Sequence, residues 1–276
     1  MMNNSVFAVS DLHVSFGENR RIADEIRPES DGDWLIVAGD VADTFADVEW
    51  ALRRLRARFA EVVWVPGNHE LWTLPADPVQ VRGEERYLAL VDMCRGLGVR
   101  TPEDEFARWE GADGPVVIVP LFVLYDYSFR APGTSTKQES LRAAYRARVV
   151  CTDEMFLPPD PYPDRESWCR ARVAQTLPRL AALEPGVPTV LVSHWPLERC
   201  LTEPLRHPEF AQWCGTTLTG GWHRTYRAAA AVYGHLHIPG TRTVDGVRFE
   251  EVSLGYPKEW KARGDAPPLR RILGPA

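Results

Sequence analysis

The sequence predicts an α/β fold, and three observations carry that expectation. Apolar runs of strand length recur, and several are continuous rather than alternating, such as Trp34 to Ala38 (WLIVA). Continuous apolar character suits strands covered on both faces. Amphipathic helical stretches separate the first runs, and each run stops at Gly or polar residues, the rhythm of a layered strand–helix–strand fold.

The elements are expected in this order. Ser5 to Ser10 (SVFAVS) is a strand ending at Asp11-Leu12-His13, and Asn19 to Arg27 is a helix closed by Pro28. Trp34 to Ala38 is stopped by Gly39-Asp40. Asp47 caps a helix from Val48 to Phe59, with Val48, Leu52, Leu55 and Phe59 on one face and Arg53, Arg54, Arg56 and Arg58 mostly on the other. Val62 to Val65 ends at Pro66-Gly67-Asn68-His69. Val116 to Val119 is a further strand, and Thr189 to Val192 runs into Ser193-His194. Ala228 to Val232 leads into Tyr233-Gly234-His235-Leu236-His237. Thr241 to Val244 and Val247 to Val252 flank Asp245-Gly246, a type I′ hairpin signal that makes the later strands antiparallel.

Tyr125 to Leu183 has another texture. Leu141 to Val149 looks helical, Pro158 to Pro163 (PPDPYP) is stiff, and Asp164 caps a helix from Arg165 that Pro178 interrupts or kinks. At about 60 residues the segment is short for a core of its own. The expectation is one domain, 1–276, with a cap-like insertion at about 125–183.

Composition excludes several classes. Of 276 residues, 45% are apolar and 25% charged, the balance of a folded globular chain. No apolar run approaches the roughly 18 to 20 residues a spanning helix needs. Met1 to Ser10 shows neither a basic stretch nor a long apolar one, so no leader and no membrane partner are expected. The net charge of −6 argues against a duplex nucleic-acid partner. Cys94, Cys151, Cys169, Cys200 and Cys214 form no C-x-x-C pair, so small buried thiols in a reducing, cytoplasmic setting are expected.

Chemistry is concentrated at strand ends. Asp11-x-His13, Gly39-Asp40-x-x-Asp43, Gly67-Asn68-His69-Glu70, Ser193-His194 and Gly234-His235-x-His237 each follow an apolar run. The carboxyl ends of strands form the ligand crevice of open α/β sheets. Carboxylate, imidazole and amide donors suit divalent Mn, Fe, Zn, Co or Ni, and the absence of cysteine excludes a thiolate zinc site.

This ordered set resembles the calcineurin-like metallophosphoesterase family, whose pattern is D-x-H, G-D-x-x-D, G-N-H-[ED], H and G-H-x-H. The match runs from Asp11 to His237 without departure. The resemblance implies a four-layer αββα sandwich of two mixed β-sheets, with a metal site at the C-terminal strand ends. It implies two divalent metal ions, with Mn the first choice and Fe, Zn, Ni or Co as alternatives. Asp11, His13 and His237 would hold one ion, Asn68, His194 and His235 the other, and Asp40 would bridge them. The implied activity is hydrolysis of a phosphomonoester or phosphodiester by in-line attack of a metal-bridging hydroxide. His69 would stand over the phosphate and protonate or stabilise the leaving oxygen, and Asp43 would orient it. Asp43 has a second reading as a helix cap, and Glu70 reads as a residue of loop geometry. Gly39, Gly67 and Gly234 read as positions where the backbone turns tightly.

Other readings stay open. A non-catalytic metal-binding or scaffold protein on the same fold, like relatives resembling the retromer subunit, is one. A nucleotide or cyclic-nucleotide phosphodiesterase is another. The expected partner is a small phosphorylated substrate, and no oligomeric state is implied. Candidate substrate contacts are Asn68, Tyr127, Arg130, Trp195 and His223, with Tyr125 near the same mouth. Lys137, Arg142, Arg146 and Arg148 against Glu139 form a locally basic patch that either faces the substrate or is a solvated helix face.

Overall fold

The computed structural model describes residues 4–112, 114–264 and 269–275. Met1 to Asn3, part of the segment read for a leader, lie outside the described residues. β1 (Val6–Val9), β2 (Trp34–Val37) and β3 (Glu61–Trp64) are parallel, with Val6 opposite Trp34 and Trp34 opposite Glu61. α1 (Gly17–Glu25) and α2 (Phe45–Arg56) connect them, and α3 (Asn68–Leu71) and α4 (Gly83–Leu97) follow.

A second sheet contains β4 (Ala107–Gly111), β5 (Gly114–Pro120), β6 (Thr189–Val192), β7 (Ala228–Tyr233), β8 (Gly240–Val244) and β9 (Val247–Glu251). Their spatial order is β4-β5-β6-β7-β9-β8, parallel at the centre and antiparallel at both edges. Between β5 and β6 lie α5 (Lys137–Arg146), α6 (Asp153–Phe156) and α7 (Arg165–Ala181). α8 (Trp222–Thr225) precedes β7, and α9 (Pro257–Arg263) follows β9. β10 (Arg270–Leu273) then returns to pair antiparallel with β1, so the first sheet reads β10-β1-β2-β3 and is mixed.

The continuous apolar runs are explained by two buried faces. Val6, Ala8, Ile36, Ala38, Val63 and Val65 meet Ile118, Val190, Val192, Ala230 and Val232 between the sheets. The alternate residues Phe7, Val9, Leu35, Val37, Val62 and Trp64 join Val48, Leu52 and Leu55 of α2 and Tyr87 and Leu90 of α4 in the larger core. Period two sends neighbouring side chains to opposite faces, and both faces are covered. α7 puts Trp168, Cys169 and Val173 into that same core. Among the described residues, no helix is long and apolar enough to cross a membrane.

Several local expectations shift. The α2 cap is Thr44, which accepts the Asp47 N–H; Asp47 sits inside the first turn. α5 begins earlier than expected because Thr136 and Glu139 form a reciprocal capping box. Asp164 does cap α7, but the helix runs through Pro178 to Ala181. The hairpin turn has positive φ at both Asp245 (50°) and Gly246 (79°), as type I′ requires. α4, β4 and β10 were not anticipated from sequence.

Candidate metal centre

Five loops at the carboxyl ends of β1, β2, β3, β6 and β7 converge. They do so through unusual backbone: Asp11 (φ 53°), His13 (42°), Asp40 (51°), His235 (71°) and His237 (55°) are all left-handed. Each such non-glycine residue costs about 1 kcal/mol or more, a strain that persists only where the surroundings over-determine it. Gly39 also needs its positive φ (87°). Gly67 has an ordinary φ of −98° and is needed for room instead: a Cβ there would strike Asp40.

The donors form two groups. In the first, His237 Nε2 lies 3.0 Å from Asp11 Oδ1 and 3.2 Å from His13 Nε2. In the second, Asn68 Oδ1, His194 Nε2 and His235 Nδ1 are mutually 3.1 to 3.2 Å apart. Asp40 Oδ2 stands between the groups, 4.0 Å from His13 Nε2 and 3.5 Å from His194 Nε2. Ligands ~2.1 Å from one ion lie about 3.0 to 3.4 Å from one another, so both groups have the spacing of a coordination shell. Ring nitrogens turned toward one another at this spacing are also what co-ligands of a single ion require. His13 Nδ1 and His235 Nε2 are buried without any partner, so those rings are not held by hydrogen bonds on their far sides. The donor set therefore fits divalent metal.

Electrostatics follows from the same packing. Burial pushes His13 and His235 down to about 3, so both rings are neutral and have a free lone pair. Burial also lowers His194 and His237, but Asp40 and Asp11 respectively more than offset it, giving about 9 and about 10. Asp11 and Asp40 are held well below the usual carboxylate range: burial opposes this, but His237 and His194 outweigh it. All are almost fully buried except His237, whose side chain is 14% exposed.

Outer contacts fix each donor. Glu70 accepts the backbone N–H groups of Asp40 (3.0 Å), Val41 (2.9 Å) and Gly67 (3.0 Å), locking the β2 and β3 loops together. Its role is loop geometry. Asp11 Oδ2 accepts Ser10 Oγ, Ser253 Oγ and the His235 N–H. His194 Nδ1 donates to the Ala38 carbonyl at 2.9 Å, leaving Nε2 as the donor atom. Asp153 of α6 accepts Asn68 Nδ2, and Glu259 of α9 lies 2.7 Å from His237 Nδ1. Sequence reasoning missed Asp153, Glu259 and Tyr256. A proline opening a helix with a carboxylate at N3, three residues after Tyr256, is the signal that could have found Glu259.

His69 lies beside both groups. Its Nδ1 meets Asp43 Oδ1 at 2.6 Å, and its Nε2 is 3.7 Å from Asp40 Oδ2. Burial by itself pushes His69 down, but Asp40 and then Asp43 outweigh it, and the net shift is upward. The Trp72 ring packs against that of His69, tilted by 34° with centroids 3.7 Å apart. Asp43 caps no helix.

The substrate candidates fare unevenly. Asn68 is in the second donor group. Tyr127 is buried inside the 125–183 segment, where its hydroxyl bonds Glu154 (2.7 Å) and Arg165 (2.8 Å), so it does not face the mouth. Arg130 is exposed, and only its carbonyl is tied down, by Arg199. Trp195 is a wall behind the centre, edge-on to His194 at 5.1 Å and 1% exposed. His223 lies at the opposite end of the sheet, clamped between Glu198 (3.1 Å) and Asp245 (3.2 Å) of the hairpin turn. The strand β7 runs from His223 toward His235, which separates them by its length. In the basic patch, Lys137 is paired with Glu166, and Arg142, Arg146 and Arg148 are exposed.

Comparison with known proteins identifies the family. The family model described as calcineurin-like phosphoesterase matches residues 5–239. The acyl-carrier-protein phosphodiesterase PptH of Mycobacterium tuberculosis is 52% identical over 269 residues, spanning 98% of this chain and 83% of that protein. The crystal structure of phosphopantetheinyl hydrolase (PptH) from the same organism superposes with a TM-score of 0.95 at 52% identity, covering 98% of this chain and 96% of that one. This chain belongs to the calcineurin-like phosphoesterase family and is a metal-dependent hydrolase of phosphoric esters.

Proposed function

We propose that this chain hydrolyses the phosphodiester that joins a phosphopantetheinyl group to an acyl carrier protein, with two divalent metal ions in the centre. The observation that carries the reading is the 52% identity to PptH across 98% of the chain, with a matching fold at TM-score 0.95. The small phosphorylated group expected from sequence is then presented on a protein. Asp11, His13 and His237 would hold one ion, Asn68, His194 and His235 the other, and Asp40 lies between them. A set of imidazole, carboxylate and amide without thiolate suits Mn, Fe, Zn, Co or Ni, and the family resemblance makes Mn the first choice. Bound there, such ions supply Lewis acidity, acidifying water and neutralising phosphoryl oxygens.

The protein's own residues do the rest. Asp43 accepts from His69 Nδ1, so Nε2 is the nitrogen that takes and gives up the second proton of the imidazolium. That proton serves the leaving oxygen, as its upward-shifted pKa favours. Trp72 and the Asp43 bond fix the ring's plane. The chain works as one domain in this reading, and the cap-like segment at 125–183 supplies Asp153 to the centre. Five unpaired cysteines suit a reducing, cytoplasmic setting.

The test is direct. Metal-loaded protein is incubated with phosphopantetheine-bearing carrier protein, and the carrier is followed by intact mass. Loss of the phosphopantetheinyl mass, with release of free phosphopantetheine, is expected. An unchanged carrier with Mn, Fe, Zn, Ni and Co in turn, while bis(p-nitrophenyl) phosphate is still cleaved, would refute this substrate and keep the family activity.

A further inference from the structure

Tyr256 lies beyond the residues that the family model matches, yet its ring is built into the centre. It stacks on His13 (centroids 4.6 Å apart, 28° between planes) and meets His237 edge-on at 4.8 Å. Phe16 closes the outer side at 5.5 Å. Its backbone is equally fixed. The Tyr256 N–H donates to Glu259 Oε2 at 2.8 Å, the same oxygen that meets His237 Nδ1. Asn19 ties the flanking chain by accepting from Trp260 Nε1 and donating to the Gly255 carbonyl, both at 2.9 Å. So held, the hydroxyl points at His69 Nε2 from 3.4 Å. Tyr256 is partly exposed and His69 is 8% exposed.

Two donors 3.4 Å apart, on a wall beside the candidate ligands, can touch one oxygen. We propose that Tyr256 is a catalytic residue whose hydroxyl donates a hydrogen bond to the same leaving oxygen that His69 protonates. The inference rests on the reading of His69 as proton donor. As the P–O bond breaks, its electron pair stays on the ester oxygen. The proton that oxygen takes comes from His69 Nε2, and Tyr256 keeps its own. A phenol is a donor throughout the neutral range. Such help matters most for a basic, alkoxide-like leaving group, where charge on the oxygen is least stable.

The experiment compares wild type, Tyr256→Phe and His69→Ala on methyl phenyl phosphate and methyl p-nitrophenyl phosphate, with metal content measured for each. Tyr256→Phe keeps the ring and its stacking and removes only the hydroxyl. The expected result is about a thirtyfold loss of kcat on the phenyl ester and less than about threefold on the p-nitrophenyl ester, whose leaving group needs little help. Metal stoichiometry is expected to be unchanged. Equal losses on both esters, no loss on either, or a fall in metal content would each overturn the proposal, because those are the marks of packing. His69→Ala separates the two ideas. If it discriminates between the esters and Tyr256→Phe does not, Tyr256 alone is refuted; if it does not discriminate, the reading of His69 fails first and the inference with it.

Discussion

Asp153 Oδ1 accepts Asn68 Nδ2 at 2.9 Å and thereby decides which end of the Asn68 amide faces His194 and His235. The same oxygen accepts Trp72 Nε1 at 2.7 Å, so one buried carboxylate orients a candidate ligand and the wall behind His69. Asp153→Ala is expected to weaken metal binding at the Asn68, His194 and His235 group by about tenfold to a hundredfold, the usual effect of losing an outer-shell partner. Asp153→Asn keeps an acceptor oxygen and should lose much less. Calorimetric metal titration of the two variants checks this, and equal affinities would contradict it.

Metal loading should release protons. In the metal-free chain His194 and His237 titrate near 9 and 10, and ligation requires neutral rings. Both pKa values are raised above 6.5, so the protons are present at pH 7 and leave as pH rises through 9 and 10. Two protons per chain are expected on loading at pH 7, about one-half near pH 10 and nearly none well above it, with affinity falling toward acid. Titration in buffers of different ionisation enthalpy counts them. By the same sign, stability that these rings give the metal-free chain is full below pH 6.5 and lost through the same interval.

His69→Ala should spare metal content and lower kcat by about a hundredfold or more, as loss of a general acid does. Asp43→Asn should lower kcat less. It also removes one cause of the upward shift of His69, so the alkaline fall of kcat should move to lower pH. Steady-state pH profiles beside metal analysis decide the matter; an unmoved alkaline limb would detach Asp43 from His69.

A second buried pair supports the centre from outside. Arg86 of α4, fully buried, bonds Asp77 at 2.7 Å and the Glu70 carbonyl at 2.6 Å. Burial raises the Asp77 pKa, but the Arg86 bond and two backbone N–H groups outweigh it and the net shift is downward. Asp77→Asn should destabilise by about 3 kcal/mol at neutral pH, since it strands a buried guanidinium. The depressed value makes the wild-type advantage full above 3.8 and lost as pH falls through the folded value. The gap between the urea midpoints of the two proteins should therefore be full at pH 7 and shrink as pH falls below 3.8.

What was legible in the sequence was local. Apolar runs ending in Gly, Asp, Asn and His marked the strands whose loops meet, and all seven expected donors do meet. What was not legible depends on distant partners. Glu259 is 22 residues from His237 on a helix with no buried residue, and Asp153 is 85 residues from Asn68. No periodicity announces such pairs. α4 opens on Arg82 and Gly83 without a side-chain cap, so nothing local marks its start. His223 was misplaced because closeness to β7 in sequence does not say which end of the strand a residue occupies. Tyr127 was misplaced because an aromatic after an apolar run looks like a mouth residue until Glu154 and Arg165 are seen to bury its hydroxyl.

The tail has a consequence for how the chain is made. Ribosomes deliver the N-terminal end first, at about 5–20 residues per second. Asp11, His13 and Asp40 therefore emerge long before Glu259, Tyr256 and the β10 strand that covers the outer edge of β1. Until those arrive, His237 has no carboxylate on its far nitrogen and His13 has no ring above it. The nascent chain then carries every candidate ligand, with Asp11 already held by Ser10, His235 and Ser253, but the two imidazoles of the first group gain their outer supports only at the end of synthesis.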